Sequence, residues 1–170
     1  MNLLIRGLIL IEVIMTTQGQ KENLQWRVLR FNEFTLDELY DLMQLRSQVF
    51  VVEQDCVYLD MDEIDRDSLH LLVQENNNEK VLATLRIFAG KNNYWHIGRV
   101  AVAIEARKRG VAREMMERAV AWIKEQKDVK GVEISAQSYL FDFYRSLGFQ
   151  KSSEEYVLDG LPHLDMTLEL

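Results

Sequence analysis

The sequence predicts an α/β protein: a central mixed β-sheet flanked by helices. Three observations carry this expectation. Apolar or alternating runs and helix-period runs interleave in the order β-α-ββ-β-α-β-α-β-β. The consecutive strands in the middle of that order exclude a doubly wound parallel sheet. No G-x-G-x-x-G follows a predicted strand, so dinucleotide binding of the Rossmann kind has no support.

The elements follow in order. Gln25 to Phe31 reads as a first strand. Thr35-Leu36-Asp37-Glu38 is a capping box, in which the hydroxyl and the carboxylate each satisfy a free backbone N–H. The helix it opens runs to about Phe50, with Leu39, Leu42, Met43, Leu45 and Val49 on its apolar side. Leu69 to Glu75 and Val81 to Ala89 form a hairpin around Asn76-Asn77-Asn78-Glu79. Trp95 to Ala103 is a further strand. Residues 110–124 form the clearest helix, with Val111, Ala112, Met115, Met116, Ala119, Val120 and Ile123 recurring at three and four. Val132, Ile134 and Ala136 alternate as a strand, and Leu140 to Leu147 is a short helix stopped by Gly148. Tyr156 to Leu158 and Leu164 to Leu168 close the sheet around Asp159-Gly160.

The chain has 170 residues, 48% hydrophobic and 28% charged, which suits one globular domain. Its net charge of -7 argues against nucleic acid as a partner. That charge is uneven: seven acids face one base between Glu53 and Asp67, and four bases face one acid between Glu105 and Arg113. The single cysteine, Cys56, excludes an internal disulfide and a multi-cysteine zinc site, which fits a reducing, cytoplasmic location. Residues 1–14 are apolar, too short to span a bilayer and followed by no cleavage pattern. They are expected to be an upstream or non-native extension, with residues 15–170 as one domain and no membrane partner.

Two segments carry chemistry. Arg107-Lys108-Arg109-Gly110-Val111-Ala112 lies between a strand and the strongest helix. It offers backbone N–H groups at a helix N-terminus, where orphan donors and the dipole favour an anion; a solvated basic turn is the alternative. Downstream, Phe143-Tyr144-Arg145-Ser146-Leu147-Gly148-Phe149 puts a tyrosine on a short helix; alone it also fits an ordinary amphipathic helix.

In this order, with a strand between them, the two segments resemble the GNAT superfamily of acetyl-CoA-dependent N-acetyltransferases. Arg107, Gly110 and Ala112 match (Q/R)-x-x-G-x-(G/A), and Tyr144, Leu147, Gly148 and Phe149 match Y-x-x-L-G-F. The resemblance extends to the ElaA-like branch through Leu45-Arg46, Phe50 to Gln54, Tyr58, Asp60, Asp62, Asp65, His70, Ile97 to Val100, Ala136-Gln137 and Asp159-Gly160-x-Pro162-His163. It covers nearly the whole chain after residue 24.

The resemblance implies the GNAT acyl-CoA N-acyltransferase fold and acetyl transfer from acetyl-CoA directly to a primary amine, on a small molecule or a peptide. The pantetheine arm would pair with Val100, Ala101 and Val102, and the Val100 N–H would donate to the thioester carbonyl. The pyrophosphate would sit on the N–H groups of Lys108, Arg109, Gly110, Val111, Ala112 and Arg113, with Arg107 beside them. Tyr144 matches the general acid that serves the departing thiolate. Gln137 and Leu140 stand where many members carry Asn and Ala; Gln keeps the amide for a cofactor contact. Candidates for the base are Glu53, which leads, His70, His96 and His163; His70 and His163 also fit the lining of the acceptor pocket, where Arg46 and Arg99 would pair with acids or bind an acceptor carboxylate. Relatives often dimerise, so a homodimer is an expectation. A non-catalytic CoA-binding or acyl-CoA-binding module is the alternative function.

The acidic stretch reads as a solvated loop, a rim that attracts a cationic amine, or a cation-binding surface. Asp60-x-Asp62 resembles the start of an EF-hand loop, but its sixth position is Asp65 and its twelfth Leu71, so no metal is expected. Cys56 carries no family signature for a nucleophile, and direct transfer needs none.

Overall fold

The computed structural model describes residues 24–76 and 78–170, with the side chains of Asn78 and Glu79 left aside. The expected extension, residues 1–14, and the domain start at Met15 lie outside the described residues.

Strands β1 (Leu24–Arg30), β2 (Leu69–Glu75), β3 (Asn78–Ala89) and β4 (Tyr94–Val102) form an antiparallel run. Strand β5 (Gly131–Gln137) joins β4 in parallel, and β8 (Leu161–Glu169) joins β5 antiparallel. The short strands β6 (Gln150–Lys151) and β7 (Tyr156–Leu158) both pair with β8. The sheet is therefore mixed, in the order β1-β2-β3-β4-β5-β8-β6.

Both faces of the sheet are buried, as the alternation along β2 shows. Leu71 and Val73 belong to one apolar cluster with Met115, Met116 and Ile123, whereas Leu72 belongs to another with Leu42, Leu45 and Val49. Helix α1 (Leu36–Arg46) thus covers one face and helix α3 (Val111–Lys124) the other. Two short helices, α2 (Ile64–Asp67) and α4 (Phe141–Arg145), sit in the connections. The capping box forms: the Glu38 N–H donates to Thr35 Oγ1 at 3.2 Å and the Thr35 N–H to Glu38 Oε2 at 2.9 Å.

Several boundaries differ from the sequence expectation; β3 begins at Asn78 instead of Val81, and the short helix before Gly148 is Phe141–Arg145. The first helix does not run as one α-helix to Phe50: it ends at Arg46 and widens into a π-helical turn, Ser47–Val52. The last strand starts at Leu161, because Pro162 is tolerated near a strand's first residue. Strand β6, at two residues, is too short to leave a period in the sequence. Among the described residues, no helix is long and apolar enough to cross a membrane.

Two departures from regular sheet geometry position the site. The parallel ladder between β4 and β5 spans only Tyr94–His96 against Gly131–Glu133. Beyond it the strands diverge. The β3–β4 ladder also slips: Thr84 faces Ala101 and Arg86 faces Gly98, which leaves one residue of β3 opposite Arg99 and Val100. Arg99 has a φ of 52°, so β4 carries a bulge at the mouth of the opening.

Candidate functional site

The divergence of β4 from β5 opens a cavity of about 580 Å³, within the range of small-molecule sites. Its walls include Gly98, Arg99, Val100 and Val102 from β4 and Ile134 to Gln137 from β5. The β4 edge that faces this gap has no strand partner beyond His96, and of its carbonyls that of Val102 accepts from Arg107 Nε at 2.9 Å.

At one end of the cavity lies the N-terminus of α3. Gly110 is its N-cap, at φ 81° and ψ 0°, and no side chain caps the helix. The first backbone bond of the turn runs from the Glu114 N–H to the Gly110 carbonyl at 3.1 Å. The N–H groups of Val111, Ala112 and Arg113 are therefore without a partner among the described residues. Lys108, at φ 61°, and Gly110 give the preceding turn its left-handed bends, and a Cβ at Gly110 would meet nothing within 4 Å. This is an uncapped helix end with an open approach, the arrangement that accepts a phosphate.

The bases of this turn are not all free. Arg107 Nη2 donates to both oxygens of Glu53, at 3.0 and 2.7 Å, and its Nε donates to the Val102 carbonyl at 2.9 Å. Arg113 Nη2 donates to Ser146 Oγ at 2.6 Å, which ties α3 to the end of α4. Arg109 lies 4.0 Å from Glu75, whereas Lys108 makes no ion pair among the described residues.

Tyr144, on α4, lines the same cavity and is only 6% exposed. Phe143 and Phe149 pack against its ring edge-on. Gly148, at φ 94°, ends the helix and lets the Phe149 N–H return to the Tyr144 carbonyl at 3.2 Å. The phenol has no hydrogen-bond partner among the described residues. Burial, with a smaller contribution from Tyr139, pushes its pKa well above the usual value.

Across the opening, Gln137 at the end of β5 donates from Nε2 to Gln54 Oε1 at 2.9 Å. The segment after the π-helical turn therefore reaches both sides of the cavity, through Glu53 to Arg107 and through Gln54 to Gln137.

The far end of the cavity holds Arg99 and His163. Arg99 Nε lies 2.7 Å from Asp60 Oδ1, and its guanidinium covers the Tyr58 ring at 5.6 Å. His163, on β8, faces Gln137 in register and stacks on Tyr156. Arg46, His70 and His96 do not line this cavity. Arg46 is 1% exposed and donates from Nε to Asp60 Oδ2 at 2.7 Å and from Nη1 to Asp65 Oδ1 at 2.8 Å. His70 is buried beside that group, with Nε2 donating to the Asp65 carbonyl at 2.8 Å, and burial lowers its pKa. His96 stacks on Phe88 and lies 3.3 Å from Glu133.

The acidic stretch is neither a solvated loop nor a bare acidic rim. Asp60, Asp62 and Asp65 are held by Arg46, Arg86 and Arg99, which come from α1, β3 and β4. Glu53 pairs with Arg107 and Glu63 with Arg66. Of the seven acids, Asp55 and Asp67 alone make no ion pair among the described residues. Tertiary pairing cancels most of a charge that looks unbalanced along the chain.

A profile of the acetyltransferase (GNAT) domain matches residues 36–170. The chain belongs to the GNAT acetyltransferase family. A UPF0039 protein of Schizosaccharomyces pombe is 41% identical over 149 residues, covering 87% of this chain and 99% of the relative. Protein ElaA of Escherichia coli is 34% identical over 151 residues, covering 86% of this chain and 97% of its own. The crystal structure of E. coli ElaA superposes with a TM-score of 0.78 at 35% identity, over 86% of this chain and 99% of that one. An acyl-CoA N-acyltransferase from Pseudomonas aeruginosa gives 0.78 at 36% identity, over 85% and 99% of the two chains. The mixed sheet with a splayed β4–β5 pair is the GNAT fold, and acyl transfer is the chemistry this family performs.

Several cavity residues of this GNAT domain escape sequence inspection. Gln54 and Tyr58 sit in the segment that matches the ElaA-like branch, but only the fold brings them to Gln137 and Arg99. Arg86, which belongs to the neighbouring carboxylate cluster and not to the cavity lining, left one signal, a charge between the apolar Leu85 and Ile87 of β3. Its guanidinium donates to Asp62 at 2.6 Å and to Asp65 at 2.8 Å. Tyr139, which also lines the cavity, left none.

Proposed function

We propose that the protein transfers an acetyl group from acetyl-CoA directly to a primary amine of a small molecule or a peptide. The observation that carries this is a continuity: the uncapped N-terminus of α3 opens onto the same 580 Å³ cavity that Tyr144 lines. A pyrophosphate fits the N–H groups of Val111, Ala112 and Arg113, and Lys108 adds an unpaired charge beside them. A pantetheine arm fits the unpartnered edge of β4 at Val100, Ala101 and Val102. The bulge at Arg99 supports a donor role for the Val100 N–H towards the thioester oxygen, where negative charge develops.

Tyr144 faces the leaving sulfur in this arrangement. A free phenol titrates near ~10 and a thiol near ~8.5, so outright protonation of a thiolate by tyrosine is uphill in water. Burial raises the Tyr144 phenol further. Its role is therefore a hydrogen bond that strengthens as charge builds on sulfur. Gln137 remains a candidate for the pantetheine amides once its contact to Gln54 opens. Arg99 is the candidate to orient the acceptor at the far end.

The test combines CoA calorimetry with thiol release from acetyl-CoA over a panel of polyamines, amino acids and peptides. Binding and turnover support the proposal, and Tyr144→Phe should lower kcat by about 10²-fold with CoA affinity retained. An absence of CoA binding refutes it. Tight binding without turnover on any amine leaves the non-catalytic CoA module.

A further inference from the structure

We propose that His163 is the base that takes a proton from the acceptor amine; this rests on the acetyl-transfer reading of the same cavity. His163 is 9% exposed and lines the cavity that Tyr144 also lines. Its Nδ1 lies 2.9 Å from the Leu161 carbonyl. A carbonyl oxygen only accepts, so Nδ1 carries the hydrogen. In the neutral ring Nε2 then holds the lone pair, and Nε2 has no partner among the described residues. The ring cannot turn freely, because it stacks on Tyr156 at 6.3 Å and 26°. Tyr156 is itself anchored, donating to Asp165 Oδ1 at 2.7 Å. A tautomer set by one nitrogen and a second nitrogen left bare is the geometry a histidine base requires.

The other base candidates named from the sequence are engaged or elsewhere. Both oxygens of Glu53, the leading candidate from sequence, accept from Arg107. His70 and His96 lie outside the cavity, the first bonded to Asp65 and the second beside Glu133. The groups that face His163 are Tyr156 on β7, Gln137 on β5, Asp165 further along β8, Asp159 in the β7–β8 turn, and Cys56, whose Sγ donates to the Asp159 carbonyl at 3.0 Å. Arg99 shares this end of the cavity with His163, and its Nε lies 2.7 Å from Asp60 Oδ1.

The proton count closes. A protonated amine loses two protons on becoming an amide. The first frees the lone pair, which forms the N–C bond as the C–S bond of the thioester breaks. One proton ends on the CoA sulfur and the other in solvent, with His163 Nε2 relaying the latter.

The test uses the full chain with acetyl-CoA and two nucleophiles, in wild type and His163→Gln. The first is 1,4-diaminobutane, protonated at neutral pH; the second is hydroxylamine, which is largely neutral there and needs no base. The expected result is a loss of kcat of about 10²-fold or more with the diamine, and of less than about threefold with hydroxylamine. The diamine defect should shrink as pH approaches the amine's own value near ~10. Equal losses with both nucleophiles, or no loss with either, overturn the proposal. If wild type acetylates neither, the acetyl-transfer reading is what fails, and imidazole ¹⁵N shifts decide the rest without an acceptor. The chain has three histidines, so single variants assign the signals. A neutral His163 with hydrogen on Nδ1 supports the assignment; hydrogen on Nε2 overturns it.

Discussion

Arg107 Nη2 donates to both carboxylate oxygens of Glu53, at 3.0 and 2.7 Å. The first residue of the phosphate-loop motif is thus tied to the segment that follows the π-helical turn. Its Nε holds the Val102 carbonyl at 2.9 Å, at the end of β4. Arg107 therefore joins three parts of the site: the loop, the strand edge and the facing segment.

This pair is a clasp more than a source of stability. Both side chains are over 30% exposed, at 38% and 31%, so Glu53→Gln should change stability by less than about 1 kcal/mol in urea denaturation. The same variant frees the Arg107 charge. CoA affinity should rise a few-fold at low salt, and the gain should vanish at high salt. Arg107→Ala should weaken CoA binding by about tenfold, read by calorimetry.

Arg46 is different because water does not reach it. It is 1% exposed and satisfies Asp60 and Asp65 together. Arg46→Met keeps the bulk and strands both carboxylates beside Arg86 and Arg99. The expected loss is about 3–5 kcal/mol, read as a fall in the urea midpoint with an unchanged slope.

The same cluster sets how stability depends on pH. Burial alone would raise the Asp65 carboxyl, but hydrogen bonds and charge from Arg46 and Arg86 together outweigh it and hold it below the usual range. Asp62 is lowered in the same way: burial opposes, and the Arg86 contacts prevail. A depressed carboxyl contributes stability above its unfolded value near ~3.9, and that contribution is lost as pH falls through the folded value. His70 adds a second window. Burial lowers its pKa, so its contribution is complete above the unfolded histidine value near ~6.5 and declines as pH falls below it. Denaturation at stepped pH should show two declines on acidification, and His70→Gln should remove the upper one alone.

Gly110→Ala tests the loop directly. At φ 81° an alanine costs about 1–2 kcal/mol of backbone strain, yet its Cβ would meet no protein atom within 4 Å. A modest fall in Tm is expected from the strain. A loss of CoA affinity beyond about thirtyfold, the equivalent of that strain at its upper bound, would show that the Cβ occupies space the pyrophosphate needs.

Features set by near neighbours were legible in the chain. The Thr35–Glu38 capping box and the helical period from Val111 to Ile123 are short-range patterns, and each appears where the sequence places it. The β2–β3 hairpin also forms, with β3 beginning earlier than expected, at Asn78. The π-helical turn at Ser47–Val52 was not legible, because its residues keep the apolar spacing of an ordinary helix. The acidic stretch misled for a related reason. Its acids are counted along the chain, whereas their partners arrive from α1, β3 and β4.

The order of the longer elements, the mixed sheet and the two motifs around Gly110 and Tyr144 were legible in the chain alone, since each depends on period, punctuation and spacing within a few turns. Only the tertiary structure decided what those motifs face. It opened β4 from β5 after His96, took Arg46 and His70 out of the cavity and left His163 in it. It also gave Arg46 and Arg86 carboxylate partners 14 to 24 residues away. The physical reason is that a charge or a lone pair acts through distance in space and loss of water, and neither quantity exists until the strands and helices pack.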